Sequence, residues 1–230
     1  MKIIDSILKQ NIKGIIFDLD GTLINTLHHH VEAFEKSFND LNYDIDRRII
    51  EHNMGRTPWD IPRDILFNKE IDDLSDKEIK IINKIATIKM DYYHQTLEGK
   101  IPLQDGTNKI LSYLKNKKIK MAVCSSTPRI NVLSILNKVN IFHYFDEIIT
   151  GDDVKVGKPN PKAYLLAVKK LGLKNDECFL IGDSVHDIQA GINGNIKSIA
   201  VCTGFHSKEE LLGKNPDLII NNLIELFNDM

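Results

Sequence analysis

Short, continuously apolar segments recur along the chain and alternate with longer segments of helical periodicity. The apolar segments are rich in Ile and Val, and they cover residues 13–17, 119–125, 146–150, 177–183, 197–204 and 217–220. Because polar residues do not alternate with the apolar ones, each segment resembles a strand that is covered on both faces of a parallel sheet. Helical patterns lie between them, at about residues 105–117, 128–138, 160–171, 185–193 and 207–213. This order predicts an α/β fold with a doubly wound parallel sheet.

One region of the chain breaks this alternation, because residues 27–98 contain no strand-like segment. Ser75 and Glu78 form a capping-box pattern at the start of a predicted helix there, and Gly99 is its expected end. The apolar side chains of this helix recur at helical spacing, at Ile81, Ile82, Ile85, Ile88 and Tyr92. The chain is therefore predicted to form a Rossmann-like α/β core from residues 1–24 and 100–230, with an α-helical cap inserted at residues 25–99.

The composition is that of a globular protein, with 42% hydrophobic and 27% charged residues and a net charge of -2. A charge so close to zero gives no reason to expect nucleic acid or an anionic membrane as a partner. The N-terminal segment is interrupted by charges, and no apolar run reaches the roughly 20 residues of a membrane helix, so we expect no signal peptide and no membrane span. The three cysteines lack the close spacing of a zinc or redox motif. We predict a cytoplasmic protein with buried, reduced thiols, and the sequence leaves its oligomeric state open.

Polar side chains follow four of the predicted strands at the point where each strand ends. In open α/β sheets, ligands bind in the crevice beyond the carboxyl ends of the strands. The polar residues at these ends are Asp18 and Asp20 after the first strand, Ser125, Ser126 and Thr127 after the second, Lys158 after the third, and Asp183, Ser184 and Asp187 after the fourth. We therefore expect these acids, hydroxyls and the lysine to meet at one edge of the sheet.

This set of side chains suits phosphoryl transfer assisted by a hard cation. Clustered carboxylates repel one another unless a cation lies between them, and oxygen ligands favour an ion such as Mg²⁺. An aspartate carboxylate can attack phosphorus to give an aspartyl-phosphate, which divides one difficult displacement into two easier steps. The approach of a dianion costs about 4 kcal/mol per charge pair at roughly 4 Å and an effective dielectric constant near 20. A cation, a lysine and hydroxyl donors can offset that repulsion.

The same residues stand in segments that resemble the four motifs of the haloacid dehalogenase (HAD) superfamily of phosphotransferases. In chain order the segments are DLDGT at Asp18, VCSST at Ser125, GKPNP at Lys158 and GDSVHD at Asp183, and they span nearly the whole chain. A helical insertion directly after the first motif is similar to the insertion of members with a small helical cap. Those members include phosphoglycolate-phosphatase-like and β-phosphoglucomutase-like enzymes.

The resemblance implies roles for the acidic motif residues. Asp18 matches the nucleophile, and Asp20 matches the general acid that protonates the leaving oxygen and later, as a base, activates water. Asp18, the backbone carbonyl of Asp20 and Asp183 would coordinate Mg²⁺. Asp187 would be a further ligand or an acid behind the ligands.

The resemblance also implies residues that contact the substrate. Ser125 and Lys158 would hold the transferred phosphoryl group, and Gly21 would permit the tight turn behind the acids. His30 resembles a histidine near the hinge of many helical caps. Consecutive histidines on a helix point in different directions, so we expect no metal site shared by residues 28–30. The candidate substrate contacts are Gly21, Thr22, Ser126, His30 and Arg56.

Arg56 follows Gly55 in a predicted loop between helices. Its guanidinium could present a fork of donors to a phosphate or carboxylate group. A solvated arginine without a ligand is the alternative for this position.

The leading functional prediction is a Mg²⁺-dependent phosphomonoester hydrolase that acts on a small phosphorylated metabolite. A β-phosphoglucomutase-like sugar-phosphate mutase, which returns the phosphoryl group to the sugar, is the alternative. Such mutases usually carry a Glu-Asp-Ser form of the fourth motif, and Gly182-Asp183-Ser184 looks more like the phosphatases. Asn25 stands where relatives often have Asp, which weakens a narrower assignment. A phospho-accepting signalling module is a remote alternative, because such modules lack an acid at the position of Asp20 and a helical cap.

Overall fold

The computed structural model describes residues 1–229 and places six strands of this range in one sheet. The strands are β1 (Gly14–Phe17), β2 (Lys120–Cys124), β3 (Glu147–Ile149), β4 (Cys178–Gly182), β5 (Lys197–Val201) and β6 (Leu218–Ile220). Their order across the sheet is β3-β2-β1-β4-β5-β6, and each neighbouring pair is parallel. The predicted parallel α/β fold is confirmed. β1 lies at the centre, and the chain winds outward from it on both sides.

Two apolar clusters cover the two faces of this sheet. Side chains alternate along a strand, so Ile15 and Phe17 of β1 join one cluster and Ile16 joins the other. All residues of β1 and β4 are buried. This explains why the strands read as unbroken apolar segments in the sequence.

Outside the insertion the described residues form six helices, and the last five of these lie close to their predicted positions. The six are α1 (Ile3–Leu8), α6 (Thr107–Asn116), α7 (Arg129–Lys138), α8 (Lys162–Leu171), α9 (Val185–Gly194) and α10 (Lys208–Leu212). Helix α1 was not predicted, because six residues are too few to show helical periodicity. The predicted strand 197–204 is too long, since β5 ends at Val201 and residues 202–204 form a turn. No helix within residues 1–229 is both long and apolar enough to cross a membrane.

Residues 25–99, called the helical insertion from here on, contain four helices between β1 and β2. They are α2 (Leu27–Asn39), α3 (Arg47–His52), α4 (Asp60–Leu66) and α5 (Asp76–Thr96). A short 3₁₀ turn at Ile71–Asp73 also lies in the insertion, and further 3₁₀ turns lie outside it at Phe142–Tyr144, Gly151–Asp153, Asn175–Glu177 and Leu223–Phe227. These helices bury an apolar cluster of their own, which includes Val31, Phe34, Ile61 and Ile85. Most apolar side chains of the insertion therefore form a core of their own, while Ala33, Tyr93 and Leu97 join one of the clusters on the sheet.

Helix α5 begins with the capping box that the sequence predicts, since the Ser75 hydroxyl accepts from the Glu78 N–H and Glu78 accepts from the Ser75 N–H. Two details of the prediction are wrong. The helix ends at Thr96, before Gly99. Its fully buried aromatic is Tyr93 rather than Tyr92, because the buried face runs Ile82, Ile85, Ala86, Lys89, Tyr93 and thus includes a lysine.

Candidate active site

The carboxyl ends of β1, β2 and β4 and the loop after β3 bring the predicted polar residues to one edge of the sheet. β1 pairs with β2 on one side and β4 on the other, so the residues that follow these three strands are neighbours in space. The side chains of Asp18, Ser125, Lys158, Asp183 and Asp187 are all buried. The convergence that the sequence predicts is therefore present in the fold.

Lys158 joins two of the acids. Its ammonium contacts Asp18 Oδ1, lies 2.8 Å from Asp187 Oδ1, and donates to the Cys124 carbonyl at 2.9 Å. Burial alone would lower the pKa of Lys158, but Asp18 and Asp187 raise it well above its usual range. Lys158 is thus a fixed positive charge beside Asp18, at the place where an incoming phosphate dianion would need one.

Asp18, Asp183 and Asp187 form a three-acid cluster, in which one carboxylate oxygen of each residue lies within 4.8 Å of the others. Burial raises the pKa of Asp18 to about 7, although Lys158 acts in the opposite direction. Burial and then repulsion from Asp18 and Asp187 raise the pKa of Asp183 well above its usual range. Three buried carboxyl groups beside one ammonium cannot all ionise without a further positive charge, and the raised pKa values of Asp18 and Asp183 reflect this. A hard divalent cation such as Mg²⁺ would supply that charge and favour the ionised forms. The residues therefore fit the predicted metal.

Two glycines from different loops pack closely against the Asp183 carboxylate. Gly21 has φ +92°, a conformation that strongly favours glycine, and a Cβ atom on it would overlap Asp183 Oδ2. A Cβ atom on Gly204 would overlap the same oxygen. Thr22, a predicted substrate contact, donates from Oγ1 to Asp183 Oδ1 at 2.8 Å. The tight turn after Asp20 thus brings backbone close to this acid, which explains the glycine in DLDGT.

Asp187 is held by the first turn of α9 and by a residue of α8. Ser184 caps α9, and its hydroxyl donates to Asp187 Oδ2 at 2.6 Å. The Tyr164 hydroxyl donates to Asp187 Oδ1 at 2.7 Å. Burial would raise the pKa of Asp187, but Lys158 and these hydrogen bonds lower it. Asp187 therefore carries its negative charge at a fixed position behind Asp18.

The Asp20 carboxylate is not part of the three-acid cluster. Its Oδ1 accepts from Thr26 at 2.6 Å and lies 3.0 Å from His30 Nε2, and its Oδ2 accepts from Thr127 at 3.0 Å. Ser125, predicted to hold the phosphoryl group, also donates to Oδ2, at 3.3 Å. Burial would raise the pKa of Asp20, but His30 and the two threonine hydroxyls lower it below its usual range. Asp20 is therefore an ionised, fully hydrogen-bonded base in this state.

His30 connects Asp20 to two residues of α5. Lys89 Nζ lies 2.8 Å from His30 Nδ1, and the Tyr93 ring stacks on the imidazole with centroids 3.8 Å apart. The Tyr93 hydroxyl donates to Asp20 Oδ1 at 3.3 Å. Burial and then the nearby Lys89 lower the pKa of His30 to about 4. The helical insertion therefore places a neutral imidazole, backed by a buried lysine, against Asp20.

The remaining predicted substrate contacts, Ser126 and Arg56, lie where the insertion meets the sheet edge. The Ser126 hydroxyl donates to the Gly55 carbonyl at 2.8 Å. Arg56 pairs through its NH1 group with Asp64, and its buried Nε has no hydrogen-bond partner within residues 1–229. A cavity of about 30 Å³ lies beside them, and it is lined by Gly55, Arg56, Ser126, Asp18, Asp20, Leu27, His30, Phe34, Met54, Pro58, Ile61, Lys89 and Thr127. With the insertion in this position, the space above Asp18 holds about one water molecule.

Sequence reasoning missed Lys89, Tyr93 and Tyr164. Lys89 had a detectable signal, because it stands four residues after Ile85 and four before Tyr93, on the apolar face of α5. Burial of a lysine on such a face costs free energy, so its presence there indicates a specific role. Tyr164 gave no signal, since an aromatic residue on the buried side of a helix usually belongs to the core.

Comparison with known proteins agrees with this geometry. The chain is 28% identical over 218 residues to a phosphoglycolate phosphatase from Colwellia psychrerythraea, covering 92% of the chain and 94% of the relative. It is 29% identical over 216 residues to the pyrophosphatase PpaX from Oceanobacillus iheyensis, covering 94% of the chain and 95% of the relative. A crystal structure of β-phosphoglucomutase from Clostridium difficile superimposes with a TM-score of 0.79 at 26% identity, covering 92% of each chain.

The family relationship rests on most of the chain. Residues 15–201 match the family model for haloacid dehalogenase-like hydrolases. This range begins in β1 and ends at the last residue of β5, so it contains every residue of the three-acid cluster, Lys158 and the helical insertion. The chain belongs to the haloacid dehalogenase-like hydrolase family.

Proposed function

We propose that the protein is a Mg²⁺-dependent phosphatase of the cytoplasm that hydrolyses a small phosphorylated metabolite through an aspartyl-phosphate on Asp18. The observation that supports this most is that Asp18 contacts Lys158 and shares a cluster of buried acids with Asp183 and Asp187, while the nearby Asp20 carboxylate accepts from Thr127. Asp18, Asp183, Asp187 and the backbone carbonyl of Asp20 would hold the cation. Bound there, Mg²⁺ would neutralise charge on the phosphoryl oxygens and on the attacking carboxylate.

In the first step, an oxygen of Asp18 attacks phosphorus, and the bond from phosphorus to the leaving oxygen breaks. Lys158 keeps Asp18 in place and offsets the repulsion between carboxylate and dianion. Asp20 gives its proton to the leaving oxygen. The pKa of Asp20 is low in this state, but an approaching phosphate dianion favours its protonated form, because like charges disfavour ionisation.

In the second step, water attacks the phosphorus of the aspartyl-phosphate and restores the Asp18 carboxylate. Asp20, now ionised, takes the proton of that water. Its hydrogen bonds with Thr26, Thr127 and His30 keep it ionised and correctly oriented for this task. In this proposal Ser125 and Ser126 donate to the phosphoryl oxygens once a substrate displaces their present partners, Asp20 and the Gly55 carbonyl.

We further propose that the leaving group is small and itself anionic. The phosphatase and pyrophosphatase relatives are named for phosphoglycolate and pyrophosphate, whose leaving groups carry a carboxylate and a phosphate. Arg56 lines the cavity, and its buried, unpartnered Nε supports a contact with such an anion. The cavity of about 30 Å³ must enlarge for any substrate, so a small leaving group needs the least movement of the insertion. His30 and Thr22 then contact the substrate only after such a movement.

A sugar-phosphate mutase is the second candidate. The 26% identity to a β-phosphoglucomutase structure over 92% of the chain favours it, although the contact between His30 of the insertion and Asp20 suits a phosphatase equally. A mutase holds a sugar over the aspartyl-phosphate and excludes water. The apolar walls of Leu27, Phe34 and Met54 could exclude water, and polar groups of the same cavity could bind sugar hydroxyls, so the assay below has to separate the two candidates.

Phosphate release from a substrate panel tests the proposal. Purified protein with Mg²⁺ would be given phosphoglycolate, pyrophosphate, sugar phosphates and nucleotides, and free phosphate would be measured. We expect release from the small anionic substrates, loss of release in EDTA, and at least a thousandfold loss in Asp18→Asn, which keeps the size of the side chain but removes the nucleophile. Wild-type turnover by Asp18→Asn would contradict the proposal. Interconversion of sugar phosphates with little free phosphate would indicate the mutase.

A further inference from the structure

The four residues Thr203–His206, called the bridge segment, follow β5 and contact both the three-acid cluster and the helical insertion. The motifs assign them no role. The segment leaves the sheet directly after Cys202, whose N–H donates to the Ile220 carbonyl of the neighbouring strand at 2.9 Å. The start of the segment is therefore fixed to the sheet, and the residues that follow extend toward the three-acid cluster.

The first half of the bridge segment packs against the active-site loops. Thr203 Oγ1 donates to the Gly21 carbonyl at 2.7 Å. Gly204 lies so close to Asp183 that a Cβ atom on it would overlap Oδ2 and stand 2.7 Å from the Asp183 carbonyl oxygen. Oδ2 of the Asp183 carboxylate is thus in close contact with both Gly204 and Gly21. Movement of the bridge segment would change the orientation of this acid.

The second half packs against the helical insertion. Phe205 is half-buried against the insertion's own apolar cluster, and its ring meets His28 of α2 edge-on, with centroids 5.4 Å apart. Among the described residues, Phe205 is the one member of that cluster from outside the insertion. His206 is buried, and its ring lies 5.0 Å from that of His52 in α3. Both side chains lose these contacts if the insertion moves away from the sheet edge.

We propose that Phe205 is a positioning residue that couples the seating of the helical insertion to the orientation of Asp183. When the insertion is seated, burial of Phe205 holds the bridge segment, and Gly204 and Thr203 hold Asp183 and the Gly21 turn. When the insertion opens, Phe205 is exposed, and the segment loses its support on that side. The cation site is then complete only when the insertion is seated. By thermodynamic linkage, cation binding favours the seated insertion, and seating of the insertion over a substrate strengthens cation binding.

This inference rests on the proposed cation site, but its test does not need turnover. Mn²⁺ is the probe, because carboxylate oxygens suit it as they suit Mg²⁺, and the free ion is counted by electron paramagnetic resonance. In substrate-free protein, we expect Phe205→Ala to raise the Mn²⁺ dissociation constant about fivefold or more, within the range of typical coupling between sites. Phe205→Leu, which keeps an apolar side chain, should restore most of the affinity.

Ile65→Ala is the matched control. Ile65 of α4 is also half-buried against the same apolar cluster, but from within the insertion. The Ile65→Ala substitution should lower the stability of the insertion and leave the Mn²⁺ dissociation constant within about twofold of the wild-type value. Equal weakening by both variants would show a general loosening of the insertion and overturn the coupling.

A second readout separates the coupling from the proposed activity. If Phe205→Ala lowers kcat/KM for phosphate release but binds Mn²⁺ like the wild type, Phe205 serves closure alone and the coupling is wrong. If wild-type protein binds Mn²⁺ and Phe205→Ala weakens that binding, the coupling stands even when no substrate in the panel releases phosphate. That last result would count against the proposed function only.

Discussion

At the scale of single residues, Lys89 is the clearest departure from ordinary packing. It is 1% exposed, and it has no carboxylate partner among the ion pairs of residues 1–229. Its ammonium relies on His30 Nδ1 and on the rings of Tyr93 and Phe34, whose centroids lie 4.5 and 5.2 Å away. Burial lowers its pKa to about 7. Such a side chain costs folding stability, and its position behind His30 and Asp20 indicates a functional reason.

Replacing this lysine should therefore separate stability from activity. We expect Lys89→Met, which keeps the length of the side chain, to raise the free energy of unfolding by about 1 kcal/mol or more, because a buried charge is removed. The same change should lower kcat for phosphate release at least about tenfold, since His30 loses the partner that orients it toward Asp20. Urea denaturation and the phosphate assay measure the two effects. A less stable variant with full activity would show that Lys89 has a structural role only.

At the scale of elements, α5 shows how a local signal and a tertiary constraint share one helix. Its start is local, because the Ser75 and Glu78 capping box needs only residues three apart in the chain. Its buried face depends on the packing against α2, which turns Tyr93 inward and leaves Tyr92 partly exposed. The capping box lies in an exposed part of the insertion, away from the cavity above Asp18.

The cap of α5 should consequently affect stability without affecting chemistry. We expect Ser75→Ala to lower the free energy of unfolding by about 1 kcal/mol, because the Glu78 N–H loses its acceptor at the helix start. Ser75→Asp supplies another acceptor and should retain most of that stability. Denaturation curves measure both variants, and kcat should equal the wild-type value in each. A loss of activity in Ser75→Ala at full stability would contradict this separation.

At the scale of the whole molecule, ionisable groups from distant segments of the chain meet where the insertion contacts the sheet edge. His186 of α9 lies 5.6 Å from the His206 ring, and the Cδ2 atom of His186 is near Gly55 of the insertion. Burial, followed by the charges of Arg56 and His206, lowers the pKa of His186 from 6.5 to about 4. The unfolded chain therefore takes up a proton near pH 6.5, while the folded protein stays neutral at this residue until about pH 4.

Because of this histidine, the free energy of unfolding should decrease as the pH is lowered from about 6.5 to about 4. The unfolded state binds one more proton there than the folded state does, so the loss is about 1.4 kcal/mol per pH unit as pH decreases. We expect the free energy of unfolding of the wild type to fall by this slope relative to His186→Gln between about pH 6 and pH 5. The comparison is made in EDTA, so that cation binding does not contribute. Parallel pH profiles for the two proteins would contradict the lowered pKa.

The sequence by itself determined the elements that depend on neighbours in the chain. Unbroken Ile- and Val-rich segments are enough to predict buried parallel strands, and acids and hydroxyls at their ends are enough to predict where Asp18, Ser125, Lys158 and Asp183 meet. The tertiary structure alone decided which side chains surround them. The contacts of Lys89 with His30, of Tyr164 with Asp187 and of Gly204 with Asp183 join residues that are 59, 23 and 21 positions apart, counted from their residue numbers. No periodicity within one helix or strand records such contacts, because they form only when separate elements pack together.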